Sequence, residues 1–152
     1  MHLCFVCSGN ICRSPMAALV FGEHLRRAGL AGQVRVTSAG TGPWHVGEPA
    51  DPRAQATLTA AGYPTSHVAA QVDASHLDAD LLLAADLGHL RVLRGKVGDS
   101  DRVRLLRDFD PEAGPDAEVP DPYYGGDDGF VTVLGMIERS SAGLLDWVRE
   151  RL

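Results

Sequence analysis

Leu3-Cys4-Phe5-Val6-Cys7-Ser8-Gly9-Asn10-Ile11-Cys12-Arg13-Ser14-Pro15 is the stretch whose reading decides the fold. Residues 3–6 form a short apolar run, the pattern of a buried strand. Ser14-Pro15 then opens a helix, with proline at an early position where its missing N–H costs nothing. Met16, Leu19, Val20 and Leu25 give that helix an inner face, and Gly29 ends it. Between strand and helix lies a turn containing Gly9, which can adopt positive φ, and Asn10, which tolerates it.

The same grammar continues down the chain. Residues 34–38 alternate like a strand, and 39–49 are a Gly- and Pro-rich loop. A second helix is predicted over 51–61, stopped by Gly62 and Pro64. Residues 80–84 make a third strand, Asp86 caps a helix running to about Leu93, and 102–106 make a fourth strand. A long loop over 107–128 leads into a last helix over 129–151, with Val133, Ile137, Leu144, Leu145 and Val148 available for one packed side. Strands that alternate with helices predict an α/β fold with a parallel sheet. In such sheets ligands sit beyond the carboxyl ends of the strands, which puts Cys7 to Arg13 at the expected site.

A chain of 152 residues is the usual size of one domain, so 1–152 is read as a single unit able to bury a core. The net charge of −6 argues against a broad nucleic-acid-binding surface. No segment approaches the ~18 uninterrupted apolar residues of a membrane span. The N-terminus lacks the basic region and long apolar stretch of a secretory signal, so a cytoplasmic location without membrane partners is expected. The three cysteines, Cys4, Cys7 and Cys12, are clustered rather than spread as in a disulfide scaffold. Zinc would need about four ligands, and the six histidines are scattered with no paired spacing near the cysteines.

The chemistry concentrates between Cys7 and Ser14. Cleaving a phosphate monoester with a cysteine requires a thiolate, and a helix N-terminus with a nearby arginine stabilises one. A loop that turns into a helix aims successive backbone N–H groups inward as an anion nest. Arg13 can grip two phosphate oxygens at once, which lysine cannot. The Ser14 hydroxyl can hydrogen-bond the thiolate. A Cys and an Arg six residues apart arise often by chance, and a free Cys is commonly apolar filler. The strand before them, the helix start after them and the Gly-Asn between them favour the reactive reading. Arg13 and the loop N–H groups supply the charge stabilisation a metal would otherwise give, so neither metal nor cofactor is expected.

Residues 5–17, Phe-Val-Cys-Ser-Gly-Asn-Ile-Cys-Arg-Ser-Pro-Met-Ala, resemble the signature of the low-molecular-weight protein tyrosine phosphatases, whose phosphate loop is Cys-x5-Arg-Ser. Residues 38–54, 62–71, 80–90 and 121–126 also resemble segments of that family, in family order and nearest to its bacterial branch. The resemblance implies a four-stranded parallel sheet flanked by helices on both faces, with the phosphate loop after the first strand. It implies cleavage of phosphotyrosine proteins or peptides, with inorganic phosphate as product. Cys7 becomes the nucleophile and Arg13 the phosphate grip. Ser8, Gly9, Asn10, Ile11, Cys12 and Ser14 become the substrate-binding cradle, and Asp121 in Asp-Pro-Tyr-Tyr-Gly-Gly the general acid and base. Trp44, Tyr123 and Tyr124 become walls that stack on a substrate ring, where a phosphoserine would be too short. Asn10, Ser38 and His67 become the braces of the loop. Cys12 becomes a partner for a reversible disulfide with Cys7.

Cys4 is read as a buried strand residue. The sequence departs from the family after the third strand, where Met-Asp-x-x-Asn is replaced by Ala85-Asp86-Leu87-Gly88-His89. There His89 either takes over the Asn contact or alters the loop. Between Asp108 and Glu138 the charged residues are all acidic, and the preferred reading is a solvated loop; the sharper one is a rim that selects basic flanking residues.

Three rivals accompany this reading. An arsenate reductase of the same fold would need two distant cysteines or a borrowed small thiol, and no cysteine follows Cys12. A phosphoarginine phosphatase is implied to carry Thr where this chain has Ile11. A catalytically dead binding module would not need Cys7, Arg13 and Asp121 together.

Overall fold

In a computed structural model describing residues 1–152, the strands are β1 (His2–Cys7), β2 (Arg35–Gly40), β3 (Leu81–Ala84) and β4 (Val103–Leu105). The helices are α1 (Arg13–Arg27), α2 (Pro52–Ala60), α3 (Ala74–Leu77), α4 (Leu87–Val97) and α5 (Asp127–Arg149), with a 3₁₀ turn over Leu106–Phe109. All strand pairs are parallel, in the order β2-β1-β3-β4. The chain runs outward from β1 to β2, then returns across β1 to build β3 and β4. The order therefore reverses between β1 and β3, and a crevice opens at their carboxyl ends.

The four-residue apolar run of β1 is explained by burial on both faces. Leu3 and Phe5 point with Leu81 and Leu83 into a core closed by α1, α2 and α5. Cys4 and Val6 point the other way, with Leu82, Ala84 and Val103, into a smaller core under α4. Phe5 and Phe21 meet edge to face at 6.0 Å. Helices thus flank both faces as expected, and Cys4 is fully buried.

The differences from expectation have local causes. Strand β2 extends to Gly40, which pairs with Cys7 and bridges Gln71. A Cβ on Gly40 would stand 2.6 Å from the Ser8 carbonyl oxygen, so only glycine lets β2 lie this close to the loop. Helix α3 is one turn long, below the reach of periodicity, and is held by an Asp73–His76 capping box. Helix α4 has the expected Asp86 cap but continues past Leu93 to Val97. Helix α5 starts at Asp127 rather than 129, because Asp127 and Asp128 suit the positive end of a helix.

The acidic segment is not simply a solvated loop. Asp110 is 4% exposed, accepts the Glu112 N–H at 2.9 Å, and faces Arg107 and Arg139 at 3.3 and 3.4 Å. Glu118 accepts the Leu87 N–H at 2.8 Å, closing the start of α4. Directly after Glu118, Val119 is buried and its N–H reaches the Ala85 carbonyl at 2.8 Å. These bonds pin the segment across the carboxyl end of β3 and so deliver Asp121 to the crevice.

Two helical glycines test the packing. A Cβ on Gly143 of α5 would fall 2.0 Å from the Phe109 carbonyl oxygen, whereas one on Gly95 of α4 would meet nothing within 4 Å. Gly95→Ala is expected to stabilise the fold by about 0.5–1 kcal/mol. Gly143→Ala, the same change in the same kind of element, is expected to destabilise it by roughly 1–3 kcal/mol. Urea unfolding midpoints of the two variants check the opposite signs.

Candidate active site

The loop from Cys7 to Arg13 leaves β1 at the crevice and turns straight into α1. Its carbonyls are tied outward. Those of Cys7 and Ser8 accept the N–H groups of Thr41 and Gly42 at 2.9 and 3.1 Å, and that of Ile11 accepts the Asp51 N–H at 2.9 Å. The N–H groups of Ser8, Gly9, Asn10, Ile11 and Cys12 donate to no protein acceptor. A run of free donors at the start of a helix is an anion nest.

Asn10 holds this shape. It is fully buried with φ of 58°, a left-handed conformation that asparagine tolerates. Its Oδ1 accepts the Ala70 N–H at 2.9 Å, which fixes which end of the amide is which. Its Nδ2 must then be the donor to Ser14 Oγ at 2.7 Å and Ser38 Oγ at 3.0 Å. Ser14 Oγ, already an acceptor, has its own hydrogen left for Cys7 Sγ at 2.9 Å. The amide thus sets the direction of the bond to sulfur. His67 Nε2 donates to the Asn10 carbonyl at 2.7 Å, and burial pushes its pKa below the usual histidine value. The expected braces, Asn10, Ser38 and His67, therefore meet.

Arg13 is 5% exposed. Its Nη1 spends both hydrogens, on Asp86 Oδ2 and the Val119 carbonyl, each at 3.0 Å. Nε and Nη2 remain, with Asp121 Oδ2 3.7 Å from Nη2. Burial pushes the Asp86 carboxyl up, but the His89 N–H, the His89 ring when it is protonated, and the Arg13 guanidinium outweigh it and leave the pKa below its ordinary value. Asp121 is held by its own turn, where Oδ1 accepts the Tyr123 N–H at 3.0 Å.

These groups surround a cleft of about 450 Å³. Cys7, Ser8, Gly9, Cys12 and Arg13 line it with Asp121, and Ile11, Trp44, His45, Tyr123 and Tyr124 add apolar and aromatic surface. Asn10 and Ser14, expected to touch substrate, are buried behind the loop and do not line the cleft; their side chains support rather than contact. Trp44 and Tyr124 are 69% and 88% exposed, so they form rims more than walls.

Burial pushes Cys12 up to about 12 and Cys4 to about 11, keeping both as thiols. No group of three or more His, Cys, Asp or Glu side chains is arranged to hold a metal ion. No helix is long and apolar enough to cross a membrane.

Three contributors were not singled out in the sequence. His45 joins the cleft and pairs with Glu48. Arg53 bonds Asp51 at 3.0 Å and lies over the rings of Tyr123 and Phe130 at 5.4 and 4.7 Å, joining the start of α2 to the tyrosine segment. Val119 holds Arg13 through its carbonyl, which no side-chain pattern reveals. The place of His89 is now defined: it is buried, with Nε2 2.8 Å from Ser8 Oγ.

The family model described as low molecular weight phosphotyrosine protein phosphatase matches residues 2–152. Protein-tyrosine phosphatase A of Mycobacterium tuberculosis (strain ATCC 25618 / H37Rv) is 56% identical over 153 residues, covering 100% of this chain and 94% of the relative. The low molecular weight protein-tyrosine-phosphatase of Streptomyces coelicolor is 53% identical over 156 residues, covering 99% and 95%. The crystal structure of YfkJ from Bacillus subtilis superposes with a TM-score of 0.90 at 34% identity, covering 99% of this chain and 96% of that one. These matches leave the arsenate-reductase reading without support. Sequence, fold and loop geometry agree, and the chain belongs to the low-molecular-weight protein tyrosine phosphatase family.

Proposed function

We propose that the protein hydrolyses phosphotyrosine in proteins or peptides through a phosphocysteine formed on Cys7. The observation that carries this is the run of free N–H groups from Ser8 to Cys12 closing on a sulfur that receives the Ser14 hydroxyl. Such a site binds a tetrahedral dianion and presents it to a thiolate. The free edge of Arg13, Nε and Nη2, takes two phosphate oxygens while Asp86 and Val119 keep the guanidinium from turning.

The thiolate of Cys7 attacks phosphorus as the ester bond breaks, and Asp121 protonates the departing phenolate oxygen. Asp121 then takes a proton from water, which attacks phosphorus and expels Cys7 as a thiolate held by the Ser14 hydroxyl. Inorganic phosphate leaves. Ile11, Trp44, Tyr123 and Tyr124 give the cleft surface on which an aryl ring packs, and this supports phosphotyrosine over phosphoserine.

Hydrolysis of matched phosphotyrosine, phosphoserine and phosphoarginine peptides, with EDTA present, tests the reading. Turnover of phosphotyrosine alone is expected, abolished in Cys7→Ser and slowed about 10²–10⁴-fold in Asp121→Ala. Turnover of phosphoarginine in preference would overturn the aryl assignment.

Ser14→Ala removes one hydrogen bond to a charged sulfur, worth about 1.5–3 kcal/mol. Breakdown of the phosphocysteine is expected to slow roughly 10–100-fold, visible as accumulated phosphoenzyme after rapid quench.

The cleft also holds the ingredients of a thiol safeguard. Peroxide would oxidise Cys7 to the sulfenic acid, and the Cys12 thiol would displace water to leave a Cys7–Cys12 disulfide. Peptide mass mapping after peroxide is expected to find that bridge, and recovery of only overoxidised Cys7 rules it out.

A further inference from the structure

His89 is a buried titratable side chain that the reaction above does not use. It is 5% exposed and sits in the first turn of α4, directly under the phosphate loop. Nε2 lies 2.8 Å from Ser8 Oγ. Nδ1 lies 3.0 Å from Asp86 Oδ1, out of line for a proper hydrogen bond, and is otherwise buried without a partner. Asp86 in turn holds Arg13. A row of polar neighbours therefore runs from the cleft floor through Ser8, His89 and Asp86 to Arg13, with the His89–Asp86 link a charge contact rather than a hydrogen bond.

Burial and the charges around the ring together decide its state. Asp86 faces it from its own helix cap, Arg13 from α1, and Glu118 and Asp121 from the segment before α5. The carboxylates favour a second proton; burial, the larger influence, and Arg13 oppose it and lower the ring's pKa. The empty site therefore carries a neutral ring at neutral pH. A bare Nδ1 lone pair would point at the Asp86 carboxylate, so the single proton belongs on Nδ1. Nε2 is then the acceptor, and the Ser8 hydroxyl points its hydrogen at His89, away from the cleft. Ser8 consequently presents oxygen lone pairs to a site where its neighbours present N–H donors.

A dianion in the cleft changes this balance, because it offsets the Arg13 charge and adds negative charge beside Ser8. We propose that His89 is a positioning residue: when an oxyanion dianion fills the cleft, a solvent proton taken onto Nε2 reverses the bond to Ser8 and turns the Ser8 hydroxyl into a donor to the anion. Both ring nitrogens then carry a proton, Nδ1–H facing the Asp86 carboxylate and Nε2–H donating to Ser8 Oγ. Proton uptake and anion binding become linked and reinforce each other. Asparagine, the residue the family resemblance places here, can hydrogen-bond Ser8 but cannot take up a proton. The inference rests on the phosphate-cleft reading above.

Two choices isolate the test. Sulfate is the probe, since it remains a dianion across the working pH range where phosphate titrates. Cys7→Ser is the background, since it removes any proton taken up by the nucleophile. The ring Cε1–H signal of His89, assigned by its loss in His89→Asn, is titrated with and without saturating sulfate. Loop amide shifts at Gly9 and Cys12 report sulfate occupancy independently. Bound sulfate is expected to raise the His89 midpoint by about one pH unit or more, a tenfold linkage. Sulfate affinity is expected to fall about tenfold as pH rises through that interval. Adding His89→Asn or Ser8→Ala is expected to flatten the dependence. A His89 midpoint that stays put while the loop amides show bound sulfate overturns the proposal and leaves the cleft reading intact. No sulfate binding at any pH overturns both.

Discussion

The side-chain amide of Asn10 is the contact on which the cleft depends. It reaches the backbone of residue 70, the end of β2 through Ser38 and the start of α1 through Ser14, all from a left-handed residue in the middle of the loop. Backbone strain of this kind costs about 1–3 kcal/mol and persists only where surroundings over-determine it. Three side-chain bonds and the His67 contact to its carbonyl supply that over-determination. Together with the outward ties on the carbonyls of Cys7, Ser8 and Ile11, they keep the free N–H groups of the loop from folding back onto its own carbonyls.

Arg13 shows the complementary constraint. A guanidinium that is almost wholly buried needs partners for its charge, yet partners on every nitrogen would leave nothing for a ligand. Placing Asp86 and the Val119 carbonyl on Nη1 alone resolves this conflict. One edge is neutralised by the fold and the other stays open. The cap of α4 and the segment leading to α5 thereby share responsibility for a residue on α1.

What was legible in the sequence follows from range. The strand-loop-helix around Cys7 could be read because strand periodicity, the Gly-Asn turn and the Ser14-Pro15 helix start all act within a few residues. Asp86 was readable as a helix cap for the same reason, but its bond to Arg13 was not, since only the pairing of β1 with β3 brings them together. Asp121, Ser38 and His67 rested on family resemblance, because no local rule places them beside Cys7. Asp110 was misread as solvated because its arginine partners come from a 3₁₀ turn and from α5. At His89 the sequence left two outcomes open, a contact taken over from the family Asn or an altered loop, and named no partner, because no local pattern ties residue 89 to Ser8.

The cleft divides into a floor that is packed into the molecule and a rim that is not. Cys7, Cys12 and Arg13 are at most 5% exposed, whereas Trp44 and Tyr124 stand mostly in solvent and touch little of the core. That separation has an evolutionary consequence. Replacing a rim aromatic disturbs almost no packing, so such changes are nearly free of stability cost. Lineages can therefore diverge in which molecules they admit while inheriting the same floor unaltered, with innovation confined to the entrance.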